Sequence, residues 1–213
     1  MRARDPTQKE KRLSYDEKPP EGGFFLDFTG AFCYDGRKKS DPGGRKVKKE
    51  ETTNVMRILT QRGVDFKVHN YTESGVVAGL DTAAVLGEDH GEVCKTLVTV
   101  GRSGTHYVFL VPVGRELHLK KAAAAVGEKS VEMIKSRELL PLTGYIHGGC
   151  SPIGMKKPFR TVIDLSAAVR ERIYFSAGKI GYQIETTPEE LRKALVYETA
   201  DVTGEKAESD DCP

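Results

Sequence analysis

The chain has 213 residues, 38% of them hydrophobic and 30% charged, with a formal net charge of +2. That length favours one domain with extensions, and the near-neutral balance excludes a global nucleic-acid signature, so an RNA contact has to come from local patches. No apolar run approaches the ~18 residues of a spanning helix and no apolar leader opens the chain, so a soluble, non-secreted protein with no membrane partner is expected.

Residues 1–48 are rich in Lys, Arg, Asp, Glu, Pro and Gly, and read as a disordered extension or a tag around one apolar island, Phe24–Phe32. The domain is expected over residues 49–204. Thr52 or Thr53 can cap a helix carrying Val55, Ile58 and Leu59, and Gly63 can end it. Val64–Tyr71 alternates Phe66 and Val68 with Lys67 and His69, which predicts a strand. Thr72–Leu80 reads as loop. Asp81 can cap a short helix over Thr82–Leu86.

The clearest hairpin joins Val93–Val100 to His106–Val113 through Gly101–Gly104. Lys95 falls inside this apolar strand, beside Leu97 on one face. It either snorkels to the sheet edge or serves a site. Leu119–Val126 is a helix former ended by Gly127, with a short strand after it over Lys129–Ile134 and a helical turn at Ser136–Leu140.

Leu142–Gly154 reads LTGYIHGGCSPIG and holds four glycines. Glycine permits positive φ and close approach, and Pro152 stiffens what precedes it. This is a tight turn or the wall of an active site. Strands follow at Arg160–Leu165, Arg172–Phe175 and Gly181–Glu185. A helix starts at Pro188, a last strand covers Tyr197–Val202, and the acidic tail 205–213 reads as disordered. Strands and helices alternate without βαβ regularity, which predicts an α+β domain with a mixed sheet curled toward a barrel.

Several chemistries are disfavoured. The five histidines show no metal-ligand spacing, and Cys33, Cys94, Cys150 and Cys212 form no C-x-x-C pair, so no metal is expected and the thiols read as reduced and cytosolic. No phosphate-cradling motif follows a strand, so no nucleotide cofactor is expected. Ser151 does not form a nucleophile elbow, because its glycine spacing is wrong and Pro152 lacks the N–H an oxyanion hole would use. Cys150, with His147 nearby, is either a nucleophile or a small buried side chain.

The order K-T-L-V at Lys95, V-P-V at Val111, L-x-L-K-K-A at Leu117, T-G-Y-x-x-G-G-x-S-P-x-G at Thr143 and S-A-G-x-x-G at Ser176 resembles the YbaK/EbsC-type aminoacyl-tRNA deacylases. These are freestanding relatives of the editing domain of bacterial prolyl-tRNA synthetase. The resemblance implies their mixed α+β, partly barrel-like fold and a trans-editing activity. The activity is hydrolysis of the aminoacyl ester of mischarged tRNA, chiefly Cys-tRNA(Pro) and also Cys-tRNA(Cys), without cofactor or metal. It implies a cytoplasmic protein that acts on aminoacylated tRNA rather than DNA, with prolyl-tRNA synthetase as a candidate partner.

By the same resemblance Lys95 is the motif lysine. Tyr71, Thr96, Gly148, Gly149, Cys150, Ser151, Pro152, Ser176 and Gln183 fall at substrate-binding positions. Many members carry an aspartate where this chain has Gln183. An amide can accept a hydrogen bond there but cannot pair with an ammonium. Lys156, Lys157, Arg160 and Lys179 stand around the glycine loop and the S-x-G turn as candidate tRNA contacts, with Lys120 and Lys121 further off; each is otherwise a solvated surface cation. A deacylase for another small residue such as alanine, and a non-catalytic tRNA- or synthetase-binding module, are the alternatives.

Overall fold

The computed structural model describes residues 51–75, 83–84 and 87–204. The extension 1–48, the Asp81 cap, the acidic tail, Cys33 and Cys212 lie outside the described residues. So does most of the Thr82–Leu86 helix, of which Ala83 and Ala84 are seen in helical geometry.

The chain enters through α1 (Asn54–Gln61), where Thr53 accepts a hydrogen bond from the Met56 N–H at 3.3 Å and Val55, Met56 and Leu59 are buried. Strand β1 (Lys67–Asn70) is shorter than its alternating pattern predicts. It is an edge strand, so Val68 on its apolar side is still 43% exposed. A single 3-10 turn follows at Thr72–Ser74, within the predicted loop.

The hairpin stands as predicted. β2 (Cys94–Gly101) pairs antiparallel with β3 (His106–Pro112), and Lys95 sits opposite Val111. After β4 (Glu116–Leu117) comes α2 (Leu119–Val126), closed by Gly127 at φ 76, and then β5 (Val131–Met133). The predicted helical turn at Ser136 extends to a helix, α3 (Ser136–Thr143), which runs through Pro141. Proline forfeits one ladder bond there. The Thr143 hydroxyl offsets it by donating to Leu139 O at 2.7 Å, and the Gly144 N–H, at φ 87, closes the end on Leu140 O at 3.0 Å. The glycine stretch therefore begins inside a helix.

β6 (Arg160–Asp164) leads directly into α4 (Leu165–Ala168), then β7 (Ile173–Ser176) and β8 (Tyr182–Thr186). Helix α5 (Pro188–Leu191) starts at the predicted proline, and β9 (Tyr197–Ala200) and β10 (Thr203–Gly204) end the described chain. Five strands form one mixed sheet in the order β5-β2-β3-β6-β9, three form a second, β1-β8-β7, and β10 pairs with β4.

The five-stranded sheet is buried on both faces. Val108, Leu110 and Ile163 pack with Val55 and Leu59 of α1, while Phe109, Val111 and Val162 pack with Ala122, Ala123 and Val126 of α2. The two larger sheets meet where Val93 bridges Tyr174 in parallel, so the layers curl toward a barrel without closing.

One buried carboxylate ties the end of this sheet. Asp164 is 1% exposed and accepts from the Ser166 N–H, the Ser166 hydroxyl and, at 3.0 Å, the Val202 N–H. Asp164→Ala uncaps α4 and strands the Val202 donor. The expected cost is about 2–4 kcal/mol, read as a lowered urea midpoint with unchanged slope.

Candidate active site

A cavity of about 500 Å³ opens between the start of β2, the junction of β7 and β8, and the glycine loop. Lys95 and Thr96 reach it from β2, and Tyr71 from the end of β1. Ser176 and Gln183 come from opposite positions on β7 and β8, and His69 of β1 continues the same row across the sheet. Gly148 and Cys150 close the far side, with His147 beside them. Seven of the ten positions expected at a catalytic or substrate site thus line one space. Gly149, Ser151 and Pro152 do not; they lie behind it in the loop, all three buried.

The loop is held rigidly. The Tyr145 hydroxyl donates to Ile153 O at 2.6 Å across its neck, and the Tyr145 N–H donates to Thr143 Oγ1 at 3.0 Å. Gly148 adopts φ 80, which a side-chain-bearing residue resists. The Gly149 N–H is committed to Ile146 O at 3.1 Å, and a Cβ on Gly149 would meet Ile180 N at 3.4 Å. The Gly149 N–H is therefore spent inside the loop. Gly148 and Cys150 line the cavity, and their N–H groups donate to no described residue. A pair of unspent donors beside an ammonium suits a developing oxyanion.

Neither cysteine lining the cavity is poised as a nucleophile. Burial pushes the Cys150 thiol up to about 12, and burial, reinforced by Asp164, pushes Cys94 up to about 12. Both remain thiols at neutral pH, and the nucleophilic reading of Cys150 is set aside. Two polar atoms in the walls lack partners: Thr96 Oγ1 and Gln183 Oε1 are buried without a hydrogen bond. Buried polar atoms are ordinarily paired, and an orphan in a cavity wall marks a place for a ligand atom.

Gln183 is backed by a polar cluster that the sequence reading missed. Glu185, 9% exposed at its side chain, accepts from Lys67 Nζ at 3.1 Å and Arg172 at 3.3 Å, and His69 Nε2 lies 2.7 Å away. Burial would raise its pKa, but the contacts with His69 and Lys67 outweigh that and hold the carboxyl below its usual value. Glu88 stands next to Gln183 without such partners. Burial pushes its carboxyl up to about 7, with His69 opposing and Glu185 adding to the rise.

A carboxyl raised on folding favours the folded state at low pH, and that contribution is lost as pH climbs through its folded value. For Glu88 the window runs from 4.5 to about 7. Glu88→Gln, which removes the charge, is thus expected to raise the thermal midpoint by a few degrees at pH 8 and much less at pH 5. Scanning calorimetry at the two pH values checks this.

The candidate tRNA cations do not enter the cavity wall. Lys156 Nζ donates to Leu140 O and Pro141 O, each at 3.3 Å, which closes the end of α3. Arg160 grips Glu198 at 2.7 and 2.9 Å and donates to Val126 O at the end of α2. Lys179 pairs with Glu51 and lies over the Tyr182 ring at 5.8 Å, and Lys121 pairs with Asp201 at 2.8 Å. Lys157 and Lys120 are exposed. A phosphate at Arg160 or Lys179 has to displace an existing carboxylate.

The aminoacyl-tRNA editing domain matches residues 75–194 of this chain. A protein of Enterococcus faecalis named "Putative Cys-tRNA(Pro)/Cys-tRNA(Cys) deacylase EbsC" is 42% identical over 159 residues, which is 74% of this chain and 97% of that one. The chain belongs to the aminoacyl-tRNA editing domain family. The fold agrees. A crystal structure described as "a putative trans-editing enzyme for prolyl tRNA synthetase" superposes with a TM-score of 0.63 at 28% identity, covering 70% of this chain and 94% of that one. The hypothetical protein APE2540 superposes with a TM-score of 0.65 at 25% identity, covering 70% and 99%. The editing-domain match spans β2, the glycine loop and the β7–β8 turn, which line the cavity, while Tyr71 lies just before it. Among the described residues, no helix of this editing-domain protein is long and apolar enough to cross a membrane.

Proposed function

We propose that the protein is a trans-editing aminoacyl-tRNA deacylase that cleaves the ester of mischarged tRNA, with Cys-tRNA(Pro) and Cys-tRNA(Cys) as substrates, in the cytoplasm. Residues 49–204 are the editing domain. The observation that carries the reading is that Lys95 lines one cavity with Gly148 and Cys150, whose N–H groups are unspent, and that the cysteines there stay protonated. Such a site stabilises charge on a carbonyl oxygen and supplies no nucleophile of its own.

That is sufficient for this substrate. The aminoacyl ester is already labile, so orientation and oxyanion stabilisation account for the chemistry. Lys95 and the two N–H groups face the carbonyl oxygen. Tyr71, Thr96, Ser176 and Gln183 hold the amino acid. Water attacks the carbonyl carbon, the carbon–ribose oxygen bond breaks, and cysteine and tRNA with a free terminal hydroxyl leave. The substrate's own thiol can attack instead, giving a thiolactone and the same free tRNA, and this route would make selectivity for cysteine a property of the substrate.

Editing in trans has a clear thermodynamic need. A synthetase pocket separates residues of similar size by only ~1–3 kcal/mol per methylene-sized difference, so a second site must hydrolyse the wrong product. The neutral Gln183 supports a second reading, a deacylase for another small residue such as alanine. A panel of Cys-, Ser-, Ala- and Pro-charged tRNA(Pro) tests both. Release of cysteine alone supports the first, release of alanine the second, and binding without turnover would leave a non-catalytic tRNA module.

A further inference from the structure

The cavity contains a cationic side chain, Lys95, and a histidine, and among its described lining residues there is no aspartate or glutamate. An aminoacyl ester also brings a free α-amino group. A protonated amine taken out of water needs an acceptor and a counter-charge. Two buried wall atoms, Thr96 Oγ1 and Gln183 Oε1, have no partner, and the amide oxygen is the stronger acceptor for an ammonium. Gln183 is 4% exposed, it lines the cavity, and its Oε1 is buried with no partner.

Behind that amide lies the counter-charge. The Gln183 amide donates towards the Glu88 carboxyl, short of full hydrogen-bond geometry, and both Glu88 oxygens are buried without a partner. Glu88 makes no ion pair with a described residue, in contrast with Glu185 two positions along from Gln183, which is held by Lys67, Arg172 and the His69 ring. An unpaired buried carboxyl weakens a fold. Here it stands directly behind the orphan acceptor of the substrate cavity.

We infer that Glu88 is a positioning residue for the amino acid: its carboxylate, acting through the Gln183 amide, holds the α-ammonium of the aminoacyl group so that the ester carbonyl faces Lys95. The inference rests on the deacylase reading. With the ammonium bound, the Gln183 nitrogen closes its hydrogen bond to the Glu88 carboxylate, which fixes the amide with Oε1 turned to accept from the ammonium, and the negative charge polarises that bond in a low-dielectric setting. The groups facing Glu88 are His69 of β1, Gln183 and Glu185 of β8, Tyr174 of β7 and Glu92 just before β2. With the carboxyl pushed up to about 7, the ammonium hold switches on as pH rises through neutrality.

The test compares wild type with Glu88→Gln on two substrates, Cys-tRNA and 3-mercaptopropionyl-tRNA, which keeps the thiol and lacks the amine. A charge-assisted contact of this kind should make wild type prefer the amine-bearing substrate by roughly tenfold or more in kcat/KM. Glu88→Gln should lose most of that preference, leave the amine-free substrate nearly untouched, and lose the rise in kcat/KM through pH 7. Its folding is verified by circular dichroism. Retention of both the preference and the pH profile would overturn the inference, as would an equal loss on the two substrates. A wild type that deacylates neither removes the deacylase reading and this inference together. A wild type active on Cys-tRNA with an unaltered Glu88→Gln removes the inference alone.

Discussion

Lys95→Ala is expected to lower single-turnover deacylation of Cys-tRNA by roughly 10²–10³-fold, the range found when one preorganised oxyanion donor is removed. Lys95 is the cationic side chain of the cavity and is carried by a strand buried on both faces, so its Cα is fixed by pairing with Val111. It is half-buried and its neighbours Cys94 and Val98 belong to the core, whereas its own side chain faces the open space. Truncation therefore removes an ammonium and its contacts but no buried core side chain. The thermal midpoint should stay within about 2–4 °C of wild type, the shift of a ~1 kcal/mol change for a chain of this size. Lys95→Arg should restore only part of the rate, because a planar guanidinium does not reproduce a compact charge at the same point. A full loss of rate accompanied by unfolding would instead mark Lys95 as structural.

The second large effect is expected at Gly181. It adopts φ 90 in the turn between β7 and β8, and a Cβ placed there would lie 2.3 Å from Thr72 Cγ2 and 3.2 Å from Thr72 Cα. Its carbonyl accepts the Tyr71 N–H at 2.8 Å. Gly181→Ala thus combines left-handed strain of ~1–2 kcal/mol with a collision that includes backbone. The segment that must give way carries Tyr71, a wall of the cavity. We expect a total cost of about 2–4 kcal/mol and a fall in kcat/KM beyond tenfold even where the protein remains folded. Gly63→Ala is the control: it has φ 63 and nothing within 4 Å of a Cβ, so it carries the strain alone. Urea unfolding with parallel kinetics separates the two. Equal losses for both variants would show that the Thr72 contact contributes nothing.

Much of this architecture is legible in local sequence. The Thr53 cap, the Gly101–Gly104 hairpin and the Ala-rich helix ended by Gly127 follow from short-range chemistry, and each stands in the structure. The α3 helix outruns the turn its sequence predicts because Pro141 normally stops a helix, and the Thr143 and Gly144 bonds that offset it depend on the fold around it. The strand at Val64 falls short of its pattern because alternation cannot tell an edge strand from an inner one.

The candidate site shows the same division. Lys95 is visible as a charge inside an apolar strand, and the glycine loop as a cluster of permissive residues. That Tyr71, Ser176 and Gln183 share a cavity with them depends on pairing between β1, β7 and β8, which are separated by more than a hundred residues along the chain from β1 onward. Gly149 and Gly148 look alike in sequence, yet one N–H is spent on Ile146 O, whereas the other residue lines the cavity with its N–H unspent on any described residue. Glu88 carries no local signal at all, since it follows a glycine in a polar stretch and acquires its character only from burial beside Gln183.

Release of cysteine from Cys-tRNA(Pro) under single-turnover conditions, with wild type and Lys95→Ala side by side, is the most direct test of the assigned activity. Wild type should exceed spontaneous ester hydrolysis by at least ~100-fold, and the variant should fall to near the spontaneous rate with its fold intact. Wild type and variant both hydrolysing at the spontaneous rate would contradict the assignment of this cavity as a deacylase site.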